Sequence, residues 1–314
     1  MRVALIANPQ SGLKRGLKAA DVALRVLRQG GWAPELRLSE APGDAARQAR
    51  LAAEAGCEAV FVCGGDGSLS EAANGLAGTG VPLGVIPAGT GNDFARTAGI
   101  SIDPEQAAKQ ALNGSPRPVD LLDVNHGALW SINVMGIGLD ARVAARTNRR
   151  VRWVGGMPAY LMALAAELVN YRLTPVRIRV DGQDWEGQVL LLAVANAISY
   201  GAGIPISPLS HIDDGRLEVV AVGHVPRITM VPALLQVMRG QHLSHPSILH
   251  WTGTEVSVET PEPTPLLSDG DLKGETPFSA RVARGILRFW LPEGFRASRT
   301  EAPEGQSPEK EPKS

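Results

Sequence analysis

Three short loops hold residue types that could bind and move a phosphoryl group. They are Asn8-Pro9-Gln10-Ser11-Gly12, Gly64-Gly65-Asp66-Gly67-Ser68 and Pro87-Ala88-Gly89-Thr90-Gly91-Asn92-Asp93. Glycines let backbone N–H groups converge on phosphate oxygens, and a helix that follows adds its positive N-terminus. Ser11, Ser68 and Thr90 can add hydroxyl donors. Asp66 and Asp93 would repel bare phosphate, so they imply a divalent cation between protein and ligand, with Mg²⁺ the natural choice. A fourth segment, Ser268-Asp269-Gly270-Asp271, sets two carboxylates on a glycine turn and could supply a general base. Any one of these loops could be only a tight turn. Three on successive strand ends point to a nucleotide site. Neither GxxxxGK[ST] nor a strand–GxGxxG–helix fingerprint occurs, so the site is of another kind.

The elements that must position these loops are legible in the first third of the chain. Apolar runs 2–7, 58–63 and 81–87 read as strands buried on both faces. Helical periodicity over 18–29, 43–56 and 67–78 separates them, a strand is expected over 33–39, and a further helix begins at Asn92. Strands alternating with helices predict a doubly wound α/β sheet, with ligands beyond the strands' carboxyl ends. From about residue 119 the pattern changes to short strands, over 121–125, 129–135, 176–182, 188–197, 216–223, 255–260 and 285–292. Helices are expected near 156–171 and 227–239. The fold class is therefore α/β plus all-β: an N-terminal nucleotide-binding domain over 1–122, which 286–296 would complete, and a β-sandwich-like domain over 123–285. Residues 297–314, rich in Pro, Glu, Lys and Ser, read as a disordered tail.

Composition narrows the function classes. The chain has 314 residues, 44% hydrophobic and 20% charged, with a net charge of −1, and offers no basic field for nucleic acid. Cys57 and Cys63 give no disulfide framework, which fits a reducing cytoplasm. No run approaches the ~20 apolar residues of a membrane span. The six histidines are scattered; His242 and His245 read as polar loop residues.

Taken together, GGDGS followed by PAGTGNDFAR resembles the diacylglycerol kinase catalytic-domain family, which includes soluble bacterial lipid kinases and relatives of sphingosine kinases. NPQSG is similar to that family's first nucleotide loop, and SINVMGIGLDARV, YGAGIPISPLSHIDDGRLEVV and LLSDGDLKGETPF match its later blocks in order. The family carries Thr at the position of Ser68, and Asp-Gly-Glu where Asp269-Gly270-Asp271 stands, so the last carboxylate is one methylene shorter here. The resemblance implies an ATP- and Mg²⁺-dependent lipid kinase, with diacylglycerol the first-choice acceptor and a sphingoid base or other lipid alcohol the alternative. An NAD kinase and a non-catalytic lipid or nucleotide sensor rank lower.

It also implies roles. Asn8, Ser11, Gly12, Ser39, Gly64, Gly65, Asp66, Gly67, Ser68, Leu69, Ser70, Thr90 and Asn92 would contact the nucleotide. Asp66, Asp93 and Asp120, with Asp123 as a rival, would surround Mg²⁺. Asp269 is the first choice for general base and Asp271 the second. Asp214, with carbonyls from His211 and Arg216, would hold a structural Mg²⁺; a plain hairpin turn is the other reading of that segment. Asn74 would support the glycine loop. No acid lies between Asp140 and Glu167, a stretch with Arg142, Arg146, Arg149, Arg150, Arg152 and Trp153. It suggests transient peripheral contact with an anionic membrane. A cytoplasmic protein, peripheral at the inner membrane face and compatible with a homodimer, is the expectation.

Overall fold

The computed structural model describes residues 1–9, 15–150, 172–201, 203–226 and 229–295. Several expectations lie outside the described residues: Ser11 and Gly12, the side chains of Arg146, Arg149 and Arg150, Arg152, Trp153, the helix near 156–171, Arg227 and the tail.

The N-terminal half alternates as its hydrophobic pattern dictates. Strands β1 (Arg2–Ala7), β2 (Ala33–Leu38), β3 (Ala59–Gly64) and β4 (Leu83–Pro87) pair in parallel in the order β2-β1-β3-β4. β3 and β4 are buried along their whole length, as strands covered on both faces must be. Helices α1 (Arg15–Gln29), α2 (Asp44–Glu54), α3 (Asp66–Leu76), α4 (Asp93–Thr97) and α5 (Pro104–Asn113) return the chain between and after these strands.

Beyond this unit the strands turn antiparallel. β5 (Ser115–Val124), β6 (Leu129–Ser131), β8 (Thr174–Val180), β9 (Gln183–Val189), β13 (Glu255–Glu259) and β16 (Phe278–Leu291) extend the first sheet. β7 (Val134–Gly138), β10 (Leu191–Ala195), β11 (Leu217–Val222), β12 (Ile248–Gly253), β14 (Pro265–Ser268) and β15 (Asp271–Glu275) form a second, in the order β12-β11-β10-β7-β14-β15. The two sheets enclose a core that includes Leu122, Ile137, Val194 and Phe278. On the outer face of the second sheet lies another apolar cluster, with Leu191, Tyr200 and Val220. Helix α6 (Leu139–Arg150) and helix α7 (Met230–Met238) follow β7 and β11 in the chain.

Strand β16 runs through both halves. Its last residues pair with β4 at Phe289, and its first residues pair with β13. Aromatic packing fixes the junction: Trp32, Phe61 and Trp290 have ring centroids 5.4–5.8 Å apart, and Phe94 meets Phe289 at 4.5 Å.

Two expected strands are each two. The run 129–135 breaks because the N–H groups of Ile132 and Asn133 leave the ladder and donate to the Asp269 carboxylate. The run 188–197 breaks at Leu190, where the chain passes from β9 in the first sheet to β10 in the second. Strands β12, β14 and β15 had no place among the expected elements.

Candidate active site

The GGDG segment is a strand end followed at once by a helix. Gly65 is the extended residue before α3, and Asp66 is the first helical residue. The loop after β4 lies directly against it. A Cβ on Gly89 would stand 2.5 Å from the Gly65 Cα, so only glycine allows the two backbones to touch. Asn92 holds this loop in shape. It adopts a left-handed backbone (φ 54°), donates from Nδ2 to the Gly89 carbonyl and accepts the Gly89 N–H on Oδ1. Asn92 is therefore a buried loop brace and not the open nucleotide contact expected of it.

Asp66 and Asp93 come together at this end of the sheet. Asp66 accepts the N–H of Phe94 at 3.3 Å. Burial, together with the charge of Asp93, pushes the Asp66 carboxyl up to about 6. Asp93 is buried and accepts from the Ser199 hydroxyl (3.0 Å) and the Gly203 N–H (2.6 Å), which ties the β-rich half to the loop. Two facing carboxylates held by backbone N–H groups and a hydroxyl make an all-oxygen set suited to a hard cation. Asp66 and Asp93 therefore fit Mg²⁺.

Asp120 belongs elsewhere. Its Oδ2 accepts the Gly215 N–H at 2.6 Å, and its backbone N–H donates to the Ile212 carbonyl at 2.7 Å. The charges it feels are Arg284, Asp214 and Asp213, and burial raises it to about 6. This corrects its expected grouping with Asp66 and Asp93. Its rival Asp123 accepts from Arg281 at 2.8–2.9 Å and from the Gly127 N–H, so it too is engaged away from that pair. Asp214 accepts the Arg216 N–H at 2.9 Å, and burial raises its pKa. With Asp120 it offers two carboxylates to the 211–216 turn, and the Arg284 side chain already lies over Gly215. Among the described residues, no three His, Cys, Asp or Glu side chains converge as a cation cage.

Asp269 and Asp271 differ sharply although they are two residues apart. Asp269 is buried at φ 51°. Its Oδ1 accepts from the Ser131 hydroxyl and the Asn133 N–H, each at 2.8 Å; its Oδ2 accepts from the Ser70 hydroxyl at 2.7 Å and the Ile132 N–H at 3.1 Å. Four donors occupy both oxygens, and burial raises its pKa. Asp271 has a side chain 51% exposed, with Lys273 Nζ 3.7 Å away. Its Oδ2 lies 3.6 Å from where a Cβ on Gly67 would stand. The order of the two acids as candidate base is thereby reversed: Asp269 is a clamp that joins α3 to β6 and β14, and Asp271 is the carboxylate that meets the glycine loop.

The other expected nucleotide contacts divide the same way. Asn8, Gly65, Gly67, Ser68 and Thr90 are accessible, and Asn8 Nδ2 donates to the Ser68 hydroxyl at 3.3 Å. Gly64 is buried as the end of β3. Ser39 is buried and its N–H is spent on Ala7. Leu69 is a core side chain, and Ser70 is buried and given to Asp269. His211 and Arg216 flank the 213–215 turn. Asn74, expected to support the glycine loop, ties α3 to β6 instead: it exchanges two hydrogen bonds with the Trp130 backbone, at 2.7 and 2.9 Å.

Sequence reasoning missed Ser131, Asn133, Asn196 and Ser199. Asn196 is fully buried and donates to the carbonyls of Asp120 and Ile132, each at 2.9 Å. The only signal was an amide inside an apolar run, which has to find partners when buried. Asp140 was also missed. Its carboxylate sits over Gly136, and its Oδ2 has no hydrogen-bond partner among the described residues. It lines an apolar cavity of about 110 Å³ between the second sheet and α7, together with Leu191, Tyr200, Ile206, Val222, Leu234 and Val237. Burial raises the Asp140 carboxyl to about 7.

Comparison with known proteins agrees with this architecture. The family model described as the diacylglycerol kinase catalytic domain matches residues 2–124, and that of the YegS C-terminal NAD kinase beta sandwich-like domain matches 133–291. A protein of Mycobacterium tuberculosis named diacylglycerol kinase is 34% identical over 300 residues, covering 93% of this chain and 95% of the relative. A protein of Cronobacter sakazakii named "Probable lipid kinase YegS-like" is 30% identical, with 92% and 95% covered. A crystal structure of a diacylglycerol kinase from Bacillus anthracis superposes with a TM-score of 0.73 at 25% identity, over 94% of this chain and 98% of that one. The chain thus belongs to the diacylglycerol kinase family, with a catalytic domain followed by a YegS-type β-sandwich domain, and is a lipid kinase.

Proposed function

We propose that the kinase transfers the γ-phosphoryl group of ATP, with Mg²⁺, to the free hydroxyl of diacylglycerol, giving phosphatidic acid and ADP. One observation carries this reading: an open carboxylate, Asp271, faces the bare backbone at Gly67, where phosphates can approach. The acceptor hydroxyl would give its proton to Asp271 as its oxygen bonds to the γ-phosphorus, and the bond from that phosphorus to the β–γ bridging oxygen would break. Asp269 holds the Asp271 turn against α3 and takes no proton. Gly65, Gly67, Ser68 and Thr90 would position the phosphates. Asp66 and Asp93 would hold Mg²⁺, which when bound offsets phosphate charge.

The apolar cavity supports a lipid acceptor. Asp140, part of the cavity wall, lies in the first turn of α6, the helix that packs against β14 and β15, whose turn carries Asp269 and Asp271. A second reading rests on the same residue. An unpartnered carboxyl oxygen in an apolar cavity could also take the ammonium of a sphingoid base.

The test offers γ-labelled ATP and Mg²⁺ with micelles of diacylglycerol, sphinganine or total bacterial lipid. Labelled phosphatidic acid is expected, and chelation of Mg²⁺ should abolish it. Label on sphinganine would select the second reading. Label on another lipid would keep the mechanism and replace the acceptor. Label on added NAD, with none on lipid, would overturn both readings.

A further inference from the structure

Helix α7 is apolar on two faces. Ala233, Leu234 and Val237 line the cavity, whereas Leu235 and Met238 point away from it, 47% and 57% exposed. The helix contains no charged residue. A helix that is apolar all round is expected to be buried or to lie against lipid. A second exposed leucine adjoins it. Pro205 and Pro208 pack on Gly240 just after the helix, and the His242 ring is hydrogen-bonded to the Ile206 carbonyl at 2.9 Å. This sets the 205–209 loop, with Leu209 55% exposed, beside the C-terminal end of α7.

The charge around this face is one-sided. Neither of the two segments that build it, 187–212 and 219–254, contains an aspartate or glutamate. Arg239 ends α7, is exposed and makes no ion pair among the described residues. A solvated surface would ordinarily mix both signs.

We infer that the outer face of α7, with Leu209, is where the protein docks on an anionic phospholipid bilayer, Leu235, Met238 and Leu209 entering the headgroup–acyl boundary and Arg239 meeting lipid phosphates. Apolar side chains beside an unpaired basic residue, with no acid near them, are what such an interface recognises. The inference builds on the lipid-acceptor reading, because the inner face of the same helix walls the cavity. A lipid leaving the bilayer would need to pass only one helix.

The test is co-sedimentation of the full chain with vesicles of phosphatidylcholine and phosphatidylglycerol. Wild type should sediment with them, and less with phosphatidylcholine alone. The doubly substituted variant Leu235→Glu with Met238→Glu should lose vesicle affinity at least about tenfold, since two large apolar side chains no longer insert. Both substitutions are at exposed positions, and an unchanged Tm would show that the fold is kept. Phosphorylation of a water-soluble short-chain diacylglycerol without vesicles should stay at the wild-type rate. Failure of that reaction in both proteins would count against the acceptor and leave the docking result to stand. Equal sedimentation of variant and wild type, or no vesicle binding by wild type, would overturn the inference. So would a wild-type dimer that the substitutions convert to monomer with no change in vesicle binding, since the face would then be covered by a second copy.

Discussion

Around Gly67 the chain offers bare backbone, hydroxyls and carboxylates at the open end of a parallel sheet; under α7 it offers an apolar cavity with one buried acid, Asp140. In the proposed reading the first region would meet phosphate and cation by geometry that glycine and aspartate dictate locally. The second would meet the lipid by volume, which no single residue encodes. The comparison separates positioning of charge from recognition of shape.

The sharpest way to break this division is at Asp271, the open acid of the first region. Asp271→Asn should lower kcat by roughly 10³-fold, the range for a lost general base, with nucleotide affinity kept. Asp271→Glu, which restores the longer side chain usual in the family, should keep measurable turnover. If Asp271→Asn turns over at the wild-type rate, the open carboxylate has no catalytic part.

Asp269→Ala should act differently. It strands two hydroxyls and two backbone N–H groups in a buried place, a loss of about 3 kcal/mol or more, read as a lower denaturation midpoint. Any fall in turnover should follow the loss of folded protein or of the turn's position. A variant with full stability and no turnover would return the base to Asp269.

A smaller effect sharpens the other side. The folded Asp140 carboxyl titrates near 7, against 3.8 for the ordinary group. The folded state then binds this proton more tightly than the unfolded state, so the contribution is fully present below about 4 and is lost as pH rises toward 7. Asp140→Asn removes the titration. Its Tm relative to wild type should therefore climb between pH 5 and pH 8, and a difference independent of pH would contradict the burial that raises this group.

The same comparison explains what could be read in the sequence. The parallel strands were legible because they are buried on both faces and read as unbroken apolar runs. The glycine loops were legible because phosphate sites need bare backbone. Asp269 and Asp271 were legible together, but their different burial was not, since the difference lies in Ser70, Ser131, Ile132 and Asn133, which come from distant parts of the chain. Asp120 was misplaced for a similar reason: its partner Gly215 is 95 residues away. Strands β14 and β15 are short and polar at the turn, so their pattern carried no period. The cavity was invisible because Leu191, Val222 and Val237 are ordinary core residues until three elements bring them together.

The most direct test of the account is kcat/KM for diacylglycerols of increasing acyl length, measured with wild type and with Ala233→Trp, which fills the cavity wall from α7. Wild type should gain with chain length; the variant should lose that gain while its KM for ATP is unchanged. Parallel chain-length profiles in the two proteins would contradict the assignment of the cavity to the lipid.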